Sequence, residues 1–226
     1  MSLNNILEIT ESITINDQRL IGQVLSRNQR ISTSEILTTV PFEFTLKPMN
    51  YLLYTKSRAI LNSLRIPDKS LEQYLNFSTT GWVNFIVYQG DMTQSQLVAC
   101  QYQTSTANKT IVLGNLPTIS SGSYIVKAGD FLQIDRYAYI ATADIVRGSG
   151  STVSIPVHRT VLTTVTTPIN AVIGQYGTTT SLGGTNYTGI TFCVILRAYP
   201  TYNLVPMTND SFIQWTGTFN ALEAIL

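Results

Sequence analysis

The fold-deciding stretch, residues 122–161, reads GSYIVKAGDFLQIDRYAYIATADIVRGSGSTVSIPVHRTV. Its apolar residues alternate with polar ones at the two-residue period of a half-buried strand. Glycine-bearing turns divide the alternation into several short segments. The residues predicted to face the core are Ile125, Phe131, Ile134, Tyr139, Ile145, Val153, Ile155 and Val157. The pattern predicts a mainly β fold, a barrel or sandwich of short antiparallel strands.

Outside this stretch, one amphipathic helix is predicted near residues 51–65. Leu53, Ile60, Leu61 and Leu64 fall on one helical stripe. Pro67 ends the helix, because the residue before a proline avoids helical geometry. A second short helical turn is predicted to begin at Asp68 as its cap. Further strands are predicted at 6–17, 41–48, 81–90, 96–103, 109–116, 188–205 and 211–226.

The chain is predicted to have two parts. Residues 1–35 form an N-terminal strand followed by an extended polar arm. Residues 36–226 form the β-barrel or sandwich domain, with a division into two sub-barrels as an option. In that option, strands in 41–48 and 190–226 close one sub-barrel and residues 81–165 form the other. The proline-bounded strand 41–48 and the C-terminal strand are then the two ends of one sheet.

The surface is predicted to be poor in charge. Charged residues make up 12% of the 226 residues, and the formal net charge is +1. Soluble domains average about 25% charged residues. Either the chain is covered by neighbours, which a weakly self-repelling surface suits, or it is an ordinary β protein that uses Thr because strands favour it. Neither the net charge nor the scattered Lys and Arg residues indicate specific nucleic-acid recognition.

The two cysteines and the lengths of the apolar runs indicate the cell compartment in which the chain is made. Cys100 and Cys193 lie in apolar strand patterns and are predicted to be buried free thiols rather than a disulfide. No apolar run approaches the ~18 residues of a membrane span, and the N-terminal segment lacks a signal-peptide pattern. We therefore expect synthesis in a cytoplasm, with no membrane partner.

No residue pattern predicts a catalytic, cofactor-binding or metal site. His158 is the one histidine, and no nucleophile motif accompanies it, so an interfacial or solvent-facing imidazole is expected. Asp130, Asp135 and Asp144 lack the spacing of a calcium loop and are expected to cap turns. The Gly148–Gly150 segment lacks the Lys and helix of a phosphate loop and is expected to be a hairpin turn.

Several of these segments resemble structural proteins of tailed-bacteriophage tails. The resemblance is carried by VKAGDFLQI (126–134), by the strand–turn–strand segment 137–161, and by LRAYPTY (196–202) with SFIQWTGTFNALEAI (211–225). These segments are similar to parts of distal-tail, hub and tube-related β-barrel proteins. The resemblance implies a ring around the tail axis, with a hexamer favoured over a trimer. It also implies neighbouring tail tube, hub or baseplate proteins as partners, and a location in the virion.

Three functions remain open at the level of sequence. The first is a virion assembly protein, with residues 1–35 and the Thr- and Gly-rich loop 166–189 in subunit contacts. The second is a receptor- or carbohydrate-binding tail-tip module, which aromatic, neutral strands permit. The third is a carboxylate-dependent hydrolase, for which no acidic pair is selected by the sequence. We favour the first, which needs no enzyme activity and no cofactor.

Overall fold

The computed structural model describes residues 4–16, 21–25, 31–35, 40–65, 72–103, 108–177, 179 and 181–225. It is mainly β, as predicted, and every strand pair in the named sheets is antiparallel. The helices are α1 (Asn4–Glu8), α2 (Tyr54–Arg65) and α3 (Gln94–Ala99), and a 3₁₀ helix spans Val83–Phe85. The strands are β1 (Thr10–Asn16), β2 (Ile21–Leu25), β3 (Ile31–Glu35), β4 (Glu43–Pro48), β5 (Leu52–Leu53), β6 (Gln73–Asn76), β7 (Gln101–Tyr102), β8 (Thr110–Gly114), β9 (Tyr124–Val126), β10 (Phe131–Ile134), β11 (Tyr137–Ile140), β12 (Ile145–Val146), β13 (Val153–Pro156), β14 (Ile169–Asn170), β15 (Val172–Ile173), β16 (Thr191–Ala198), β17 (Tyr202–Pro206), β18 (Ser211–Trp215) and β19 (Phe219–Glu223).

A first lobe is built on a five-stranded sheet in the order β1-β4-β19-β16-β6. Strand β4 lies beside β19, with Phe44 opposite Ala221, so the predicted strand 41–48 shares one sheet with the end of the chain, but the two are neighbours within that sheet rather than its two ends. The predicted C-terminal strand 211–226 is divided, and its residues 211–215 form β18 in a different sheet. Alternate residues of β4 point inward, and Phe42, Phe44 and Leu46 are fully buried. Helix α1 packs against β6 of this sheet, whereas α2 packs against α1 and against strands β5 and β18. The predicted stripe on α2 buries Leu61 and Leu64.

A second lobe is built from the short strands β7 to β15, which form sheets of two to four strands. Its core holds Tyr102, Ile125, Tyr139 and Ile155, each with an exposed fraction of 0%. The predicted core face of residues 122–161 is confirmed, although Ile145 and Val153 are only partly buried. The division of the domain into two sub-barrels and the separation of residues 1–35 as a distinct unit stay predictions.

The hairpin β10–β11 contributes to both lobes because its residues alternate between two cores. Phe131 and Ala138 belong to the core of the first lobe. Leu132 and Tyr139 belong to the core of the second. Gln133 adds a polar link: its amide accepts a hydrogen bond from the backbone N–H of Thr191 at 2.7 Å and donates to the Thr191 carbonyl at 2.9 Å. The hairpin therefore fixes β16 of the first lobe against the second lobe.

Several local predictions were wrong, each where a short apolar run fits more than one structure. Residues 4–8 form α1 rather than a strand, and only Thr10–Asn16 is β1. The predicted strand 96–103 is mostly α3, which begins at a Thr93–Gln96 capping box. The predicted strand 81–90 contains turns and the 3₁₀ helix. The turn predicted at Asp68 begins outside the described residues, and Gln73–Asn76 is β6.

The Gly148–Gly150 segment is a loop, but not a hairpin turn. Strand β12 pairs with β9, while β13 pairs with β8, so the two strands that the loop connects lie in different sheets. The Arg147 guanidinium donates hydrogen bonds to the carbonyls of Gly148 and Gly150, and this local contact shapes the loop. By contrast, Gly183 and Gly184 form a tight turn, with φ of +56° and +80° between the bridged residues Leu182 and Thr185.

The polar arm contains a two-stranded ribbon. Strands β2 and β3 pair with each other from Ile21↔Glu35 to Leu25↔Ile31. Within the described part of the chain, this pair forms a sheet of its own and takes no third strand. We call the strand pair β2 and β3 the ribbon.

Candidate functional site

The residues that the sequence analysis considered for chemistry do not form one site, and each makes contacts that support the fold. His158, expected to be interfacial or solvent-facing, is half-buried. Its Nδ1 accepts a hydrogen bond from the backbone N–H of Ile140 at 3.0 Å. Its ring centroid lies 5.4 Å from that of Phe42 and 6.5 Å from that of Tyr139. This arrangement holds the imidazole between the lobes.

Two of the three aspartates cap turns, as predicted. Asp130 is buried, and its two carboxylate oxygens accept hydrogen bonds from the backbone N–H groups of Gln89 and Lys127, both at 2.8 Å. Burial raises the pKa of this carboxyl above its usual range. Asp144 accepts from the N–H of Ala128 at 2.8 Å, so both carboxylates hold the turn before β10. Asp135 occupies a turn with φ of +55°.

Neither cysteine forms a disulfide. Cys100 and Cys193 are buried free thiols, as predicted. Burial raises the thiol pKa to about 11 for Cys100 and to about 12 for Cys193, so both are protonated near neutral pH. Among the described residues, no three His, Cys, Asp or Glu side chains gather at a position that could hold a metal ion.

A buried ion pair that the sequence analysis missed joins the two lobes. Arg159 and Glu223 have side chains exposed by 1% and 0%, and the guanidinium binds the carboxylate through two contacts of 2.6 Å. Arg159 also donates to the carbonyls of Val40 at 2.8 Å and Ala138 at 2.6 Å. Four of its five N–H donors are thus used. The guanidinium therefore fastens β11 of the second lobe to β19 of the first.

Aromatic rings enclose the same guanidinium. Its central carbon lies 5.4 Å from the Phe42 ring centroid and 5.2 Å from that of Tyr139. One carboxylate oxygen of Glu223 also accepts the backbone N–H of Phe42 at 3.1 Å. The pair is shielded from water and fully bonded at the carboxylate. Its geometry stabilises the contact between lobes and leaves the charges inaccessible to a substrate.

Among the described residues, most of the exposed large apolar side chains lie on or beside a small three-stranded sheet, in the order β17-β18-β5. Strand β17 (YNLVP) carries no charged residue and forms one edge of this sheet. Four of its five residues are exposed, including Leu204 and Val205, and Met207 follows at 48% exposure. Open strand edges that pair with nothing are commonly protected by charge or proline in the strand centre. Here only Pro206, at the end of the strand, gives such protection.

The pairing pattern shows which backbone groups of β17 point away from β18. The backbone N–H of Thr216 donates to the carbonyl of Thr201, and the N–H of Met207 donates to the carbonyl of Asp210. In this register the backbone groups of the odd-numbered residues of β17 therefore point toward β18. In an antiparallel pair the bonded positions alternate. The N–H and C=O of Leu204 therefore point toward the open edge.

An aromatic cleft adjoins this edge on the side of α2. Its volume is about 490 Å³, and the lining residues that the structure describes include no charged one. Tyr202 and Trp215 stack edge to face with centroids 5.1 Å apart, and the buried indole N–H of Trp215 has no acceptor among the described residues. The lining residues are Tyr54, Leu61, Leu64, Tyr199, Pro200, Thr201, Tyr202, Leu204, Trp215 and Phe219. The cleft and the edge together are the candidate site, which we call the β17 surface.

The β17 surface is anchored to α2 by Asp210, in the turn between β17 and β18. The Asp210 carboxylate accepts hydrogen bonds from the hydroxyl and the backbone N–H of Thr55, and from the N–H of Ser211. The hydrogen bond from the Thr55 hydroxyl, followed by that from Ser211, lowers the pKa of Asp210 below its usual range. The carboxylate thereby caps the first turn of α2 from a distant strand pair.

This anchor predicts a pH-dependent stability. Because the folded-state pKa of Asp210 is lowered, its contribution is present above the usual Asp pKa of about 3.9 and is lost as the pH falls through the folded value. We expect Asp210→Asn to lower Tm at neutral pH, with the difference from the unmodified protein disappearing in strong acid. Thermal melts across acidic pH measure this. Glu8→Gln is the control at an exposed helix position; a difference of equal size there, or one that persists in acid, would contradict the anchor.

Comparisons with known proteins do not assign the chain to a family. No protein-family model matches the chain, and no curated protein matches it. Among the described residues, no helix combines the length and apolar character that crossing a membrane requires.

Proposed function

We propose that this chain is a structural protein of a tailed-bacteriophage tail: a tube-to-baseplate adaptor, a distal-tail protein or a hub ring. It acts by self-assembly and by docking to neighbouring tail proteins, and it is not an enzyme. The observation that carries the proposal is the β17 surface, an uncharged and exposed strand edge. Such an edge favours association with another chain through strand addition.

The sparse charge supports the same proposal. With charged residues at 12%, two copies repel each other little as they approach. Met49, Tyr51, Leu204, Val205 and Met207 lie on or beside the three-stranded sheet and are exposed by 38% to 65%. Exposed apolar patches on a β protein commonly mark interaction sites. The expected assembly is a ring of six copies, with three as the other option, in the virion tail.

Sedimentation and negative-stain images of the purified chain test the proposal. We expect closed rings at micromolar concentration, and Val205→Lys is expected to abolish them, because a lysine on the open edge carries an uncompensated charge into the contact. Val98→Lys is the matched control, since Val98 is similarly exposed, at 50% against 41%, but lies on α3. Rings that persist in Val205→Lys would exclude this edge. A chain that stays monomeric at all concentrations would overturn the proposal.

A receptor- or carbohydrate-binding tail-tip module is the second candidate, favoured by the aromatic cleft. Tyr202 and Trp215 line the cleft and give it the aromatic surface that sugar rings pack against. A monomer that binds a neutral glycan on an array, and loses that binding in Trp215→Ala, would replace the assembly proposal with this one.

A further inference from the structure

The ribbon and the β17 edge are each incomplete in a way that the other completes. An isolated two-stranded hairpin is at best marginally stable in water and gains stability from a third strand. The ribbon takes no third strand within the described part of the chain. Strand β17 has β18 on one side and, among the described residues, no strand on its other side.

We infer that the ribbon of one copy adds to the β17 edge of a second copy and extends the β17-β18-β5 sheet. This inference rests on the proposed function and names the two surfaces that meet in it. The outward N–H and C=O of Leu204 then hydrogen-bond to the added strand.

Charge favours this pairing over the other prominent open edge. The ribbon strands, IGQVL and ISTSE, contain one charged residue, Glu35, at the end of β3. Strand β17 contains none. Strand β1 is also an edge, but it exposes Glu11, which forms an ion pair of 3.1 Å with Lys47 of β4. Charges of this kind oppose strand addition, so β1 is protected and β17 is not.

The aromatic cleft explains how the contact gains more than backbone hydrogen bonds. Tyr202 and Leu204 are two residues apart on β17 and both line the cleft, so they share the face of the sheet toward α2. A strand added beside them places its own alternate residues at the mouth of the cleft. At alternate positions, the ribbon sequence offers Ile21 and Leu25 on β2, or Ile31 on β3, as apolar residues for that position.

The contact also has the symmetry of a ring. The donor surface (the ribbon) and the acceptor surface (β17) are different parts of the chain, so the contact is head-to-tail. Head-to-tail contacts close into rings when the rotation between copies allows it, whereas pairing of β17 with another β17 stops at a dimer.

Two complementary variants test the inference. The first lacks the ribbon: residues 17–39 are replaced by a short Gly-Ser linker, which the pairing of Asn16 opposite Glu43 makes geometrically feasible. The second keeps the ribbon and carries Leu204→Pro, which removes an outward N–H while leaving the bonds from β17 to β18 intact. Each alone is expected to be monomeric. Mixed, they are expected to form a one-to-one complex and nothing larger, because the mixture contains one intact donor and one intact acceptor.

Controls separate backbone from side-chain effects. Leu204→Thr keeps the N–H and is expected to assemble, whereas Leu204→Pro weakens the contact by roughly tenfold to a hundredfold, as the loss of one or two hydrogen bonds implies. Circular dichroism establishes that each variant is folded. If the linker variant does not fold, the pair Gln23→Pro and Thr33→Pro, at facing positions of the ribbon, takes its place.

The outcomes distinguish the inference from the proposed function. Rings in the ribbon-deleted variant would overturn the inference and leave the proposed function standing. Dimers of the ribbon-deleted variant that Leu204→Pro abolishes would show pairing of β17 with β17 instead. A monomeric unmodified chain would overturn both.

Discussion

Replacing Glu223 by Gln is expected to lower the free energy of unfolding by about 3–5 kcal/mol, because it leaves the Arg159 charge buried without its partner. The carboxylate accepts two guanidinium contacts and the Phe42 N–H, and the site is enclosed by rings. For a chain of this size such a loss lowers Tm by roughly 6–20 °C. Urea unfolding, followed by circular dichroism, measures the change.

The matched control is the exposed ion pair of Glu11 and Lys47, whose side chains are each 52% accessible. Glu11→Gln is expected to cost less than about 1 kcal/mol, since surface pairs contribute little. Combining Glu223→Leu with Arg159→Met is expected to cost less than the sum of the two single changes, by about 1–3 kcal/mol. If Glu223→Gln costs no more than Glu11→Gln, the buried pair does not hold the lobes together.

The parts of the fold that follow from local periodicity could be predicted. In residues 122–161 the side chains alternate at the strand period, and the structure buries Ile125, Ile134 and Tyr139 where the alternation placed them. The stripe on α2 was readable for the same reason, since Leu61 and Leu64 are three residues apart. Helix α3 was wrongly predicted as part of a strand, although the capping-box residues Thr93 and Gln96 are a sequence signal for its start.

The candidate site could not be predicted, because it depends on contacts between distant residues. Pro200 separates β16 from β17, and the sequence LRAYPTYNLV does not say that the chain changes sheet there. Whether a strand is central or at an edge is decided by its neighbours, and β5, which completes the sheet, lies about 160 residues away in the chain (Phe212 pairs with Leu53).

The sequence indicates one member of the buried ion pair, Glu223, but does not indicate its partner. Phe219, Ala221 and Glu223 occupy alternate positions of one strand, so Glu223 falls on the buried face. A buried carboxylate requires a partner. Fourteen Lys and Arg residues could have supplied it, and only the folded chain, which brings Arg159 after β13 to Glu223 on β19, selects this one.

Phe192→Ala is expected to cost about 3–5 kcal/mol, because this ring lies at the centre of the aromatic core of the first lobe. Its centroid lies 4.9 Å from that of Phe44, 5.2 Å from Phe42 and 5.9 Å from Phe131. Phe131 comes from the hairpin that both lobes share, so the cavity weakens the contact between lobes as well as the sheet. Urea unfolding monitored by tryptophan fluorescence measures the loss.

Two controls interpret this result. Phe192→Leu keeps most of the side-chain volume and is expected to cost clearly less than Phe192→Ala. Val98→Ala, at an exposed position of α3, is expected to change the free energy of unfolding by less than about 0.5 kcal/mol. If Phe192→Ala matched Val98→Ala, the ring cluster would not be the centre of the core. If fluorescence and circular dichroism gave different midpoints, the lobes would unfold separately, and the buried ion pair would then stabilise only their contact.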